Sequence, residues 1–592
     1  MGEPRLLAVF RAEIRRRFAT PRGTVAHFRH VHDLAAAASP HAHPIARYSS
    51  SKPMISFVVP VFNTKPKYLS DLLASFERQP PQLCELVLSD DGSTSPHTRK
   101  WLDRHAAAKG VTILRNRENQ GIATATNCGI AHAAGDWVGL VDHDDALAPF
   151  AVQQIARALE NAQECQFLYT DEVVADHDLR PADYFLKPAW DPVLLSGVNY
   201  INHLSLYRRD RLLKLGGLRD GFQGSQDYEL LLRYTGGLRP EEILHLPFPA
   251  YLWRRHGASF SLKCLETATT NARRALAETY ARGSHLAIVD RAVTPDLHRI
   301  RFDLACCEWP LVSVVIPSRD ALPLISKILE GLTVTTDYPA LEIIVIDNGS
   351  KDPDVLALYE RYRCGSMPFF AYVEEETFNF SRSVNRGIAM AKGDIILLLN
   401  NDIEILERNW LKEMVSCLDY PQTGIVGAKL LYPDQSIQHA GVIAGLGGLA
   451  GHWFIGREEG FPGPMGRLHV RQSFSIVTGA CMLISRACIE RIGLFDERVF
   501  GVAYNDVDYC LRAISAGFRV VWTPFATLTH HESASRGSDE APERIERFRR
   551  DQQNLRARHR TDELEDRAFN PWYSKDRSEP VAIPLERLPA AR

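Results

Sequence analysis

The sequence lacks any run of apolar residues long enough to cross a membrane. A spanning helix requires about 18 uninterrupted apolar residues, and the nearest segment, residues 440–451, is shorter and crowded with glycine. The first residues also lack an apolar core followed by a small-residue cleavage site, which is the pattern of a secretory signal. We therefore expect a cytoplasmic protein that does not span a membrane.

An excess of basic charge and a pattern of paired cysteines are also missing. Lys and Arg number 69 against 72 Asp and Glu, for a net charge of −3, so we expect no nucleic-acid partner, which needs a basic face. The 11 cysteines include no CxxC pair, and two of them, Cys306 and Cys307, are adjacent. Such cysteines do not suggest a disulfide framework, and a reducing cytosol is the simpler expectation.

The chain is long and has the apolar content of a folded protein. Its 592 residues exceed what one hydrophobic core usually fills. Hydrophobic residues make up 45% and charged residues 24%, as in globular rather than disordered proteins. Two or more folded domains are therefore expected.

An internal repeat defines those domains. ISFVVPVFN, ending at Asn63, returns as VSVVIPSRD, ending at Asp320, and LVLSDDGS, ending at Ser93, returns as IVIDNGS, ending at Ser350, both at an offset of 257. TNCGIAHAAGDWVGLVDHDD is matched by VNRGIAMAKGDIILLLNND at an offset of 258, and QDYELLLR by NDVDYCLR at 279. The second copy has therefore gained about 21 residues between its last two motifs.

The additional residues are assigned to the segment 439–464, HAGVIAGLGGLAGHWFIGREEGFPGP. Its glycine density suits a mobile loop better than a packed element. We interpret it as an active-site loop, with a tolerated surface insertion as the alternative.

Each copy alternates short β-branched runs with helix-period segments, a pattern typical of parallel strands joined by crossover helices. In such sheets ligands sit at the carboxyl ends of the strands, where PVFN, DDGS and DHDD fall in the first copy and PSRD, DNGS and NND in the second. The sequence thus predicts an α/β protein with two tandem, mostly parallel sheets. The predicted organisation is a basic extension (1–53), a first domain (54–284), a connector (285–309), a second domain (310–538) and a charged tail (539–592).

The extension holds nine Lys or Arg against three Asp or Glu, and RAEIRRRFA within it has a helical pattern. Its basic character favours peripheral contact with anionic membranes. A solvated, partly disordered tail is the alternative.

Acidic motifs follow matching strands in the two copies, DHDD at 142–145 and NND at 400–402. Carboxylate oxygens at a strand end suit Mg²⁺ or Mn²⁺, although acidic residues are also common turn formers there. Two histidines, His530 and His531, follow the NDVDYCLR motif and either complete a metal shell or are structural.

Two further pairs of aspartates occupy matching places. Asp90 and Asp347 end strands, where each either accepts hydrogen bonds from a nucleoside or caps a helix. Asp227 and Asp506 open amphipathic segments, where each is either a general base or an acid that matches the helix dipole.

In this order the motifs resemble family 2 glycosyltransferases of the GT-A fold, over about 230 residues of each half. The second half is more specific, since FNFSRSVNRGIAMAKGD, LLLNNDIEI, VGAKLLYPD, IQHAGV, NDVDYCLR and HHESASRG together resemble the rhamnosyltransferase-like enzymes of O-antigen and cell-wall polysaccharide assembly.

The resemblance implies a metal-dependent, inverting transfer of sugar from a UDP-, dTDP- or GDP-sugar to a lipid-linked or polymeric glycan, with Mn²⁺ or Mg²⁺ as cofactor. It makes Asp227 and Asp506 the catalytic bases. The metal ligands it implies are Asp144, Asp402, His530 and His256. The nucleotide-sugar contacts it implies are Pro60, Asn63, Asp90, Asp91, Asp142, Pro317, Arg319, Asp347, Asn400 and Asn401.

The sequence departs from this pattern at two places. Asn400 stands where the first half has Asp142, so the second metal site has one carboxylate fewer. In the first half His256 lies 29 residues after Asp227, against 24 between Asp506 and His530. Leu252 is therefore an alternative counterpart of His530.

Several functions remain open from the sequence. Both domains transfer sugars, or only one does while the other holds the acceptor, or both are non-catalytic carbohydrate-binding or scaffold modules. Both copies retain acids at the positions of the metal, the nucleoside and the base, which argues against non-catalytic modules. A nucleotidyltransferase would open with a glycine-rich, basic phosphate loop, and neither PVFNTKPKYL nor PSRDALPLIS supplies one.

Overall fold

Each repeat builds its own sheet from the β-branched runs found in the sequence. The computed structural model of the protein describes residues 52–255, 265–281, 286–303, 309–532, 544–581 and 583. The basic extension therefore lies outside the described residues, except for its last two. Among the helices that the structure describes, none is both long and apolar enough to cross a membrane.

The first sheet and its helices occupy residues 55–280. Its strands are β1 (Ile55–Val61), β2 (Cys84–Asp90), β3 (Val111–Arg115), β4 (Trp137–Leu140), β5 (Ala146–Leu147), β6 (Phe167–Ala175), β7 (Pro181–Phe185), β8 (Ser205–Arg208) and β9 (Ile243–Arg254). Its helices are α1 (Pro66–Glu77), α2 (Pro96–His105), α3 (Ile122–His132), α4 (Ala151–Asn161), α5 (Pro192–Gly197), α6 (Arg209–Lys214), α7 (Gln226–Thr235) and α8 (Leu265–Tyr280).

The strand order of this sheet is β3-β2-β1-β4-β8-β6-β9-β5, with β7 beside β6. Strands β3, β2, β1 and β4 run parallel, β8 is antiparallel to both of its neighbours, and β6 and β9 are parallel. Because β1, β2 and β4 end at one edge, PVFN, DDGS and DHDD come together there.

The connector forms a hairpin and the second repeat forms the second sheet. The hairpin strands are β10 (Leu286–Arg291) and β11 (His298–Asp303). The later strands are β12 (Val312–Ser318), β13 (Leu341–Asp347), β14 (Phe369–Val373), β15 (Ile395–Leu399), β16 (Ile403–Ile405), β17 (Thr423–Leu431), β18 (Ile437–His439), β19 (Val442–Ala444), β20 (Ala450–His452), β21 (Gln472–Ser473), β22 (Cys481–Ser485) and β23 (Arg519–His530). The later helices are α9 (Leu322–Glu330), α10 (Pro353–Arg363), α11 (Phe380–Met390), α12 (Trp410–Ser416), α13 (Arg486–Ile492), α14 (Asn505–Ser515) and α15 (Ile545–His559).

The second sheet repeats the topology of the first, in the order β14-β13-β12-β15-β22-β17-β23-β16. Its strands β14, β13, β12 and β15 are parallel, and β22 is antiparallel to β15 and β17. The predicted class, α/β with two tandem domains of one design, is confirmed.

A buried ionic cluster joins the hairpin to the second domain. Glu413 on α12 accepts hydrogen bonds from Arg471 at 2.7 and 2.8 Å, from Arg299 of β11 at 2.8 Å and from Thr523 at 2.7 Å. Burial raises the pKa of the Glu413 carboxyl, but the two arginines outweigh it and hold that pKa at about 2. The carboxylate is therefore charged whenever the protein is folded near neutral pH.

The two domains also contact each other directly. The Asp191 carboxylate of the first domain accepts hydrogen bonds from the backbone N–H and the hydroxyl of Ser473, both at 2.7 Å. The hydroxyls of Ser196 and Tyr420 lie 2.9 Å apart. The domains are thus fixed to each other by buried polar contacts as well as by the hairpin.

The glycine-rich segment 439–464 is packed, and the prediction of a mobile loop is wrong in this respect. Trp453 and Phe454 within it are fully buried, and Trp453 packs edge-on against Phe569 of the charged tail, with ring centroids 5.5 Å apart. Gly441 has a φ of +95°, and a Cβ there would lie 2.5 Å from the ring of Phe474. Close packing, rather than freedom of the chain, requires glycine at this position.

The charged tail contains helix α15 and a segment that we call the strap, residues 561–581. The strap bonds the packed insertion, since the backbone N–H of Ala444 donates to Asp566 at 2.7 Å. It then reaches the first domain, where Asn570 donates to Asp171 and to the Lys187 carbonyl, each at 2.8 Å. The strap therefore touches both domains.

Candidate active sites

Three potential metal ligands meet at the sheet edge of the first domain. Asp142 and Asp145 follow β4, and His203 lies just before β8, which pairs with β4 so that Leu140 faces Ser205. One side-chain atom from each of Asp142, Asp145 and His203 lies within 4.8 Å of the others. Two carboxylates and an imidazole at this spacing are a suitable ligand set for a divalent cation.

The surroundings of Asp145 hold it in place and favour a bound cation. Asp145 accepts hydrogen bonds from the Tyr251 hydroxyl and from the Arg254 backbone N–H, both at 2.7 Å. Burial, with the charges of Asp142 and Asp144, raises the pKa of Asp145 well above its usual value. Clustered carboxylates that repel one another are stabilised when a cation binds between them.

Buried Lys187 supports the loop that carries His203. Its ammonium donates to the carbonyl of Thr170 at 2.8 Å and to the carbonyls of Ile201 and His203, and it lies 3.6 Å from Glu172. The ring of His203 also stacks on Tyr251, with centroids 4.9 Å apart. These contacts fix the imidazole beside the two carboxylates.

Asp144, the ligand implied by the resemblance, lies next to this cluster but outside the set of three. Its side chain is 22% exposed and its carboxylate is 3.8 Å from His143, while its carbonyl accepts from Arg254 at 2.5 Å. His256 lies outside the described residues.

Asp227 stands in the first turn of α7 near the cluster. Asn199 donates to its carboxylate at 3.4 Å. Burial is the largest effect and raises the pKa of Asp227. The charge of His203 lowers this pKa and the charge of Asp142 raises it, so that the pKa of Asp227 is above its usual value. A half-buried carboxylate with a raised pKa beside a ligand cluster has the properties of a general base.

The other residues implied in the first domain shape the loops at this edge. Pro60 is paired with Ser89 near the end of β1. Asn63 accepts from the backbone N–H groups of Thr94 and Ser95, directly after DDGS, at 2.8 and 2.7 Å. Asp91 accepts from two backbone N–H groups before α3 at 3.0 and 2.8 Å, and Asp90 accepts from the Ser93 N–H at 3.2 Å.

The matching loop of the second domain is more tightly closed. Asp347 accepts from the Ser350 N–H and hydroxyl and from the Tyr359 hydroxyl, each at 2.6 Å. Pro317 pairs with Ile346 inside the sheet, and Arg319 is half exposed, 3.9 Å from Asp320. The carboxylate of Asp347 is thus already engaged by three internal donors.

The second domain brings Asp402 and His530 together, with Nε2 of His530 at 3.2 Å from Oδ1 of Asp402. Both side chains are buried. Asn401 donates to the Ser318 hydroxyl at 3.1 Å, and the Asn400 backbone N–H donates to the Ala480 carbonyl at 2.9 Å. His531 is directed elsewhere, with Nε2 at 2.9 Å from Glu404.

The two domains take their site histidine from different strands. Ile403 pairs with His530 in the second sheet and Ala146 with Leu252 in the first, so register makes Leu252 the counterpart of His530. Conversely, Leu140 pairs with Ser205 in the first sheet and the corresponding Leu398 pairs with Met482 in the second. Two residues before these partners lie His203 in the first domain and Ala480 in the second, so Ala480 is the counterpart of His203.

Asp506 opens helix α14 and accepts from the Gly479 N–H at 2.9 Å. The neighbouring acid Asp508 is buried and bonds Arg512 at 2.9 Å, Arg558 at 3.1 Å and His559 at 2.8 Å. Asp508 is therefore a structural ion-pair residue. Asp506 is half-buried and also accepts a hydrogen bond from the Val507 N–H at 2.9 Å.

The sequence reading missed three histidines at these edges, namely His203, His439 and His452. His203 lies in YINHLSLY, directly before an apolar run, and only the antiparallel placement of β8 brings it to the ligands. The other two lie in the insertion, and His439 belongs to the IQHAGV motif that carried the resemblance.

Comparison with known families and proteins gives matches to both halves of the chain. Residues 56–216 match Glycosyl transferase family 2, and residues 310–554 match Glycosyltransferase like family 2. Over 540 residues the chain is 36% identical to the protein y4gI of Sinorhizobium fredii, covering 90% of this chain and 59% of that protein. Over 498 residues it is 36% identical to the O-antigen biosynthesis protein RfbC of Myxococcus xanthus, covering 83% and 38%. The chain thus spans less than two thirds of either relative.

More distant similarities extend over part of the chain. An N-acetylglucosaminyl-diphospho-decaprenol L-rhamnosyltransferase of Mycobacterium tuberculosis is 25% identical over 243 residues, which cover 37% of this chain and 75% of that protein. Among solved structures, TarS 1–349 of S. aureus is 18% identical, with a TM-score of 0.32, over 39% of this chain and 66% of that one.

Proposed function

This chain belongs to glycosyltransferase family 2, of which it carries two domains in tandem, and we propose that each domain transfers a sugar from a nucleotide-diphosphate donor to a growing bacterial surface glycan. The observation that carries the proposal is the meeting of Asp142, Asp145 and His203 within 4.8 Å at the strand ends, next to Asp227. A ligand set beside a base is what transfer to a hydroxyl needs.

The residues present fit a divalent cation in both domains. In the first, Asp142, Asp145 and His203 would hold it. In the second, Asp402 and His530 would, since Nε2 of His530 lies 3.2 Å from Oδ1 of Asp402 and that oxygen receives no hydrogen bond of good geometry from the described residues. Mg²⁺ or Mn²⁺, when bound, neutralises charge on the departing nucleoside diphosphate. The choice of Asp145 over Asp144 is part of this proposal.

Asp227 and Asp506 would remove the proton from the acceptor hydroxyl in the two domains. As the hydroxyl oxygen attacks the anomeric carbon from the face opposite the departing nucleotide, the configuration at that carbon is inverted. The raised pKa of Asp227 strengthens it as a proton acceptor. Asp90 and Asp347 are the proposed nucleoside contacts.

The relatives support the class of substrates. One is named as an O-antigen biosynthesis protein, and another by its action on a lipid diphosphate acceptor. We propose a UDP-, dTDP- or GDP-sugar as donor and a lipid-linked or polymeric glycan as acceptor, reached at the inner face of the cytoplasmic membrane. Contact of the basic extension with that membrane remains a prediction.

A second candidate function leaves transfer to the first domain alone, with the second domain holding the acceptor. It is favoured by the engagement of Asp347 with three internal donors and by Asn400, which supplies no carboxylate to the second site.

Single substitutions separate the two candidates. The full-length protein is incubated with a panel of UDP-, dTDP- and GDP-sugars, Mn²⁺ or Mg²⁺ and a lipid-linked acceptor, and products are weighed by mass spectrometry. Asp227→Asn and Asp506→Asn should each lower one transfer step by about 10²–10⁴-fold and leave the other, since a positioned base contributes that much. Excess EDTA should abolish both steps.

If Asp506→Asn left every product unchanged, the second domain would not be a transferase and the acceptor-holding function would replace it. Arg577→Ala, a change at an exposed residue of the strap, serves as the control for handling and folding. Loss of both steps with either substitution would argue for a single shared site.

A further inference from the structure

The insertion of the second domain brings two histidines to the vicinity of Asp402 and His530. His439 ends β18 and His452 ends β20, and their Nδ1 atoms lie 3.2 Å apart. The rings meet edge to face, with centroids 5.1 Å apart. In the first repeat the sequence is about 21 residues shorter in this interval, so this pair has no counterpart there.

Both rings are neutral near pH 7. Burial, followed by the charges of His452 and His530, lowers the pKa of His439 well below its usual value. Burial also lowers the pKa of His452, while Asp506 and Glu532 act in the opposite direction. A neutral imidazole offers one N–H donor and one lone pair, which are the groups that bind hydroxyls.

Two buried polar atoms at this pair lack hydrogen-bond partners among the described residues. They are Nε2 of fully buried His439 and Oε1 of Gln438. The amide nitrogen of Gln438 donates to Glu532 at 3.4 Å. Because buried polar groups are nearly always paired in folded proteins, unpaired ones in a candidate site point to a ligand.

The position of the pair indicates which part of a substrate it meets. His452 is influenced by the charges of both Asp506 and His530, so it lies near both the proposed base and the proposed metal ligand. The sugar must occupy that region, because its anomeric carbon is attacked by the hydroxyl that the base deprotonates. A diphosphate group is disfavoured here, since the rings are neutral and Glu532 is acidic.

We propose that Gln438, His439 and His452 form a subsite that recognises hydroxyl groups of the transferred sugar in the second domain. This rests on the proposed function, and deepens it by naming the residues that select the sugar. Because the first domain has no such pair, the two domains would take different sugars.

Two substitutions at His439 form a matched test. Asn places its amide near the position of Nδ1 and can keep the contact with His452, whereas Gln extends its amide to the position of Nε2. Affinities of the full-length protein are measured by calorimetry for UDP, dTDP and GDP and for their sugar-bearing forms. Asp142→Asn is included in every sample to weaken the first site.

His439→Asn should weaken binding of the preferred nucleotide sugar by about tenfold, which is the effect of losing one good hydrogen bond. The matching nucleoside diphosphate should bind within about twofold of the parent, and His439→Gln should keep sugar binding within about threefold. Gln438→Ala, which leaves the ring pair intact, should also lower the preference for the sugar-bearing form.

Equal affinities of both His439 variants and the parent for the nucleotide sugar would overturn the subsite. So would an equal loss of nucleotide and nucleotide sugar, because that pattern reports a structural defect. If the unaltered protein bound no nucleotide and no donor, the proposed function itself would fail, and the subsite with it.

Discussion

His203 and His530 do not occupy corresponding positions, although each lies beside an aspartate at the end of a central strand. His203 precedes β8, which flanks β4 on one side, and His530 ends β23, which pairs with β16. A histidine at a sheet edge can therefore be replaced by one from a different strand of the sheet if the ring reaches the same region. Sequence offsets within a repeat cannot reveal such an exchange.

His203 is expected to bind the metal of the first domain directly. His203→Ala should weaken Mn²⁺ binding to the first site by at least about tenfold, because losing even a residue that only supports a ligand costs about 10–100-fold. Calorimetric titration of the Asp402→Asn protein, in which the second site is weakened, measures it. His177→Ala, at a histidine that is 73% exposed, should have no effect. Unchanged affinity in His203→Ala would remove the imidazole from the ligand set.

The sequence predicted the ends of strands and the starts of helices, but not the direction in which each strand runs. The order of acidic motifs placed Asp142, Asp402, Asp227 and Asp506 correctly at strand ends and helix starts, because hydrophobic periodicity fixes those boundaries. The direction of β8 could not be predicted from the sequence, since an apolar run has the same pattern in parallel and antiparallel strands. For that reason His203 was missed.

The mobile loop predicted for the insertion was wrong, and the packing of the strap was not predicted, because composition does not report packing. Glycine density is shared by mobile loops and by close-packed segments, and at Gly441 it reflects an approach to Phe474 that only a glycine permits. In the charged tail a few aromatic side chains, among them Phe569 and Tyr573, are buried against the insertion. Such contacts depend on the tertiary fold.

At the scale of elements we predict that the strap stabilises the first domain through Asn570. Asn570→Ala removes three hydrogen bonds, to Asp171, to the Lys187 carbonyl and from the Trp572 N–H. It leaves the buried carboxylate of Asp171 with fewer donors, which should destabilise the protein by about 1–3 kcal/mol. Thermal melting of the full-length protein checks this. Arg577→Ala, at an exposed strap residue, should melt like the parent. Equal melting of the two variants would mean that the contact contributes nothing.

The whole molecule is held together by the cluster around Glu413 and the contacts of Asp191. Because the folded pKa of Glu413 is about 2, below its ordinary value of 4.5, its carboxylate stabilises the folded state above about pH 4.5. That contribution is lost as the pH falls from 4.5 towards 2.

Glu413→Gln should therefore lower the melting temperature at pH 7, where buried Arg471 and half-buried Arg299 lose their counter-charge, by the equivalent of about 3–5 kcal/mol. The difference between variant and parent should shrink as the pH is lowered from 5 to 3. Glu164→Gln, whose carboxylate is 70% exposed and pairs with Arg239, provides the control and should change little. A constant difference across this pH range would contradict the assignment.

The reach of the strap into the first domain has a consequence for how the protein is made. The ribosome synthesises the first domain long before residues 566–573. However, Asn570 donates a hydrogen bond to Asp171 of that domain, and Trp572 donates to its Pro247 carbonyl at 2.5 Å. The first domain thus waits for a later part of the chain to complete its contacts. During synthesis the first domain is exposed in an unfinished form for the time needed to translate the 286 residues from its end at 284 to Asn570.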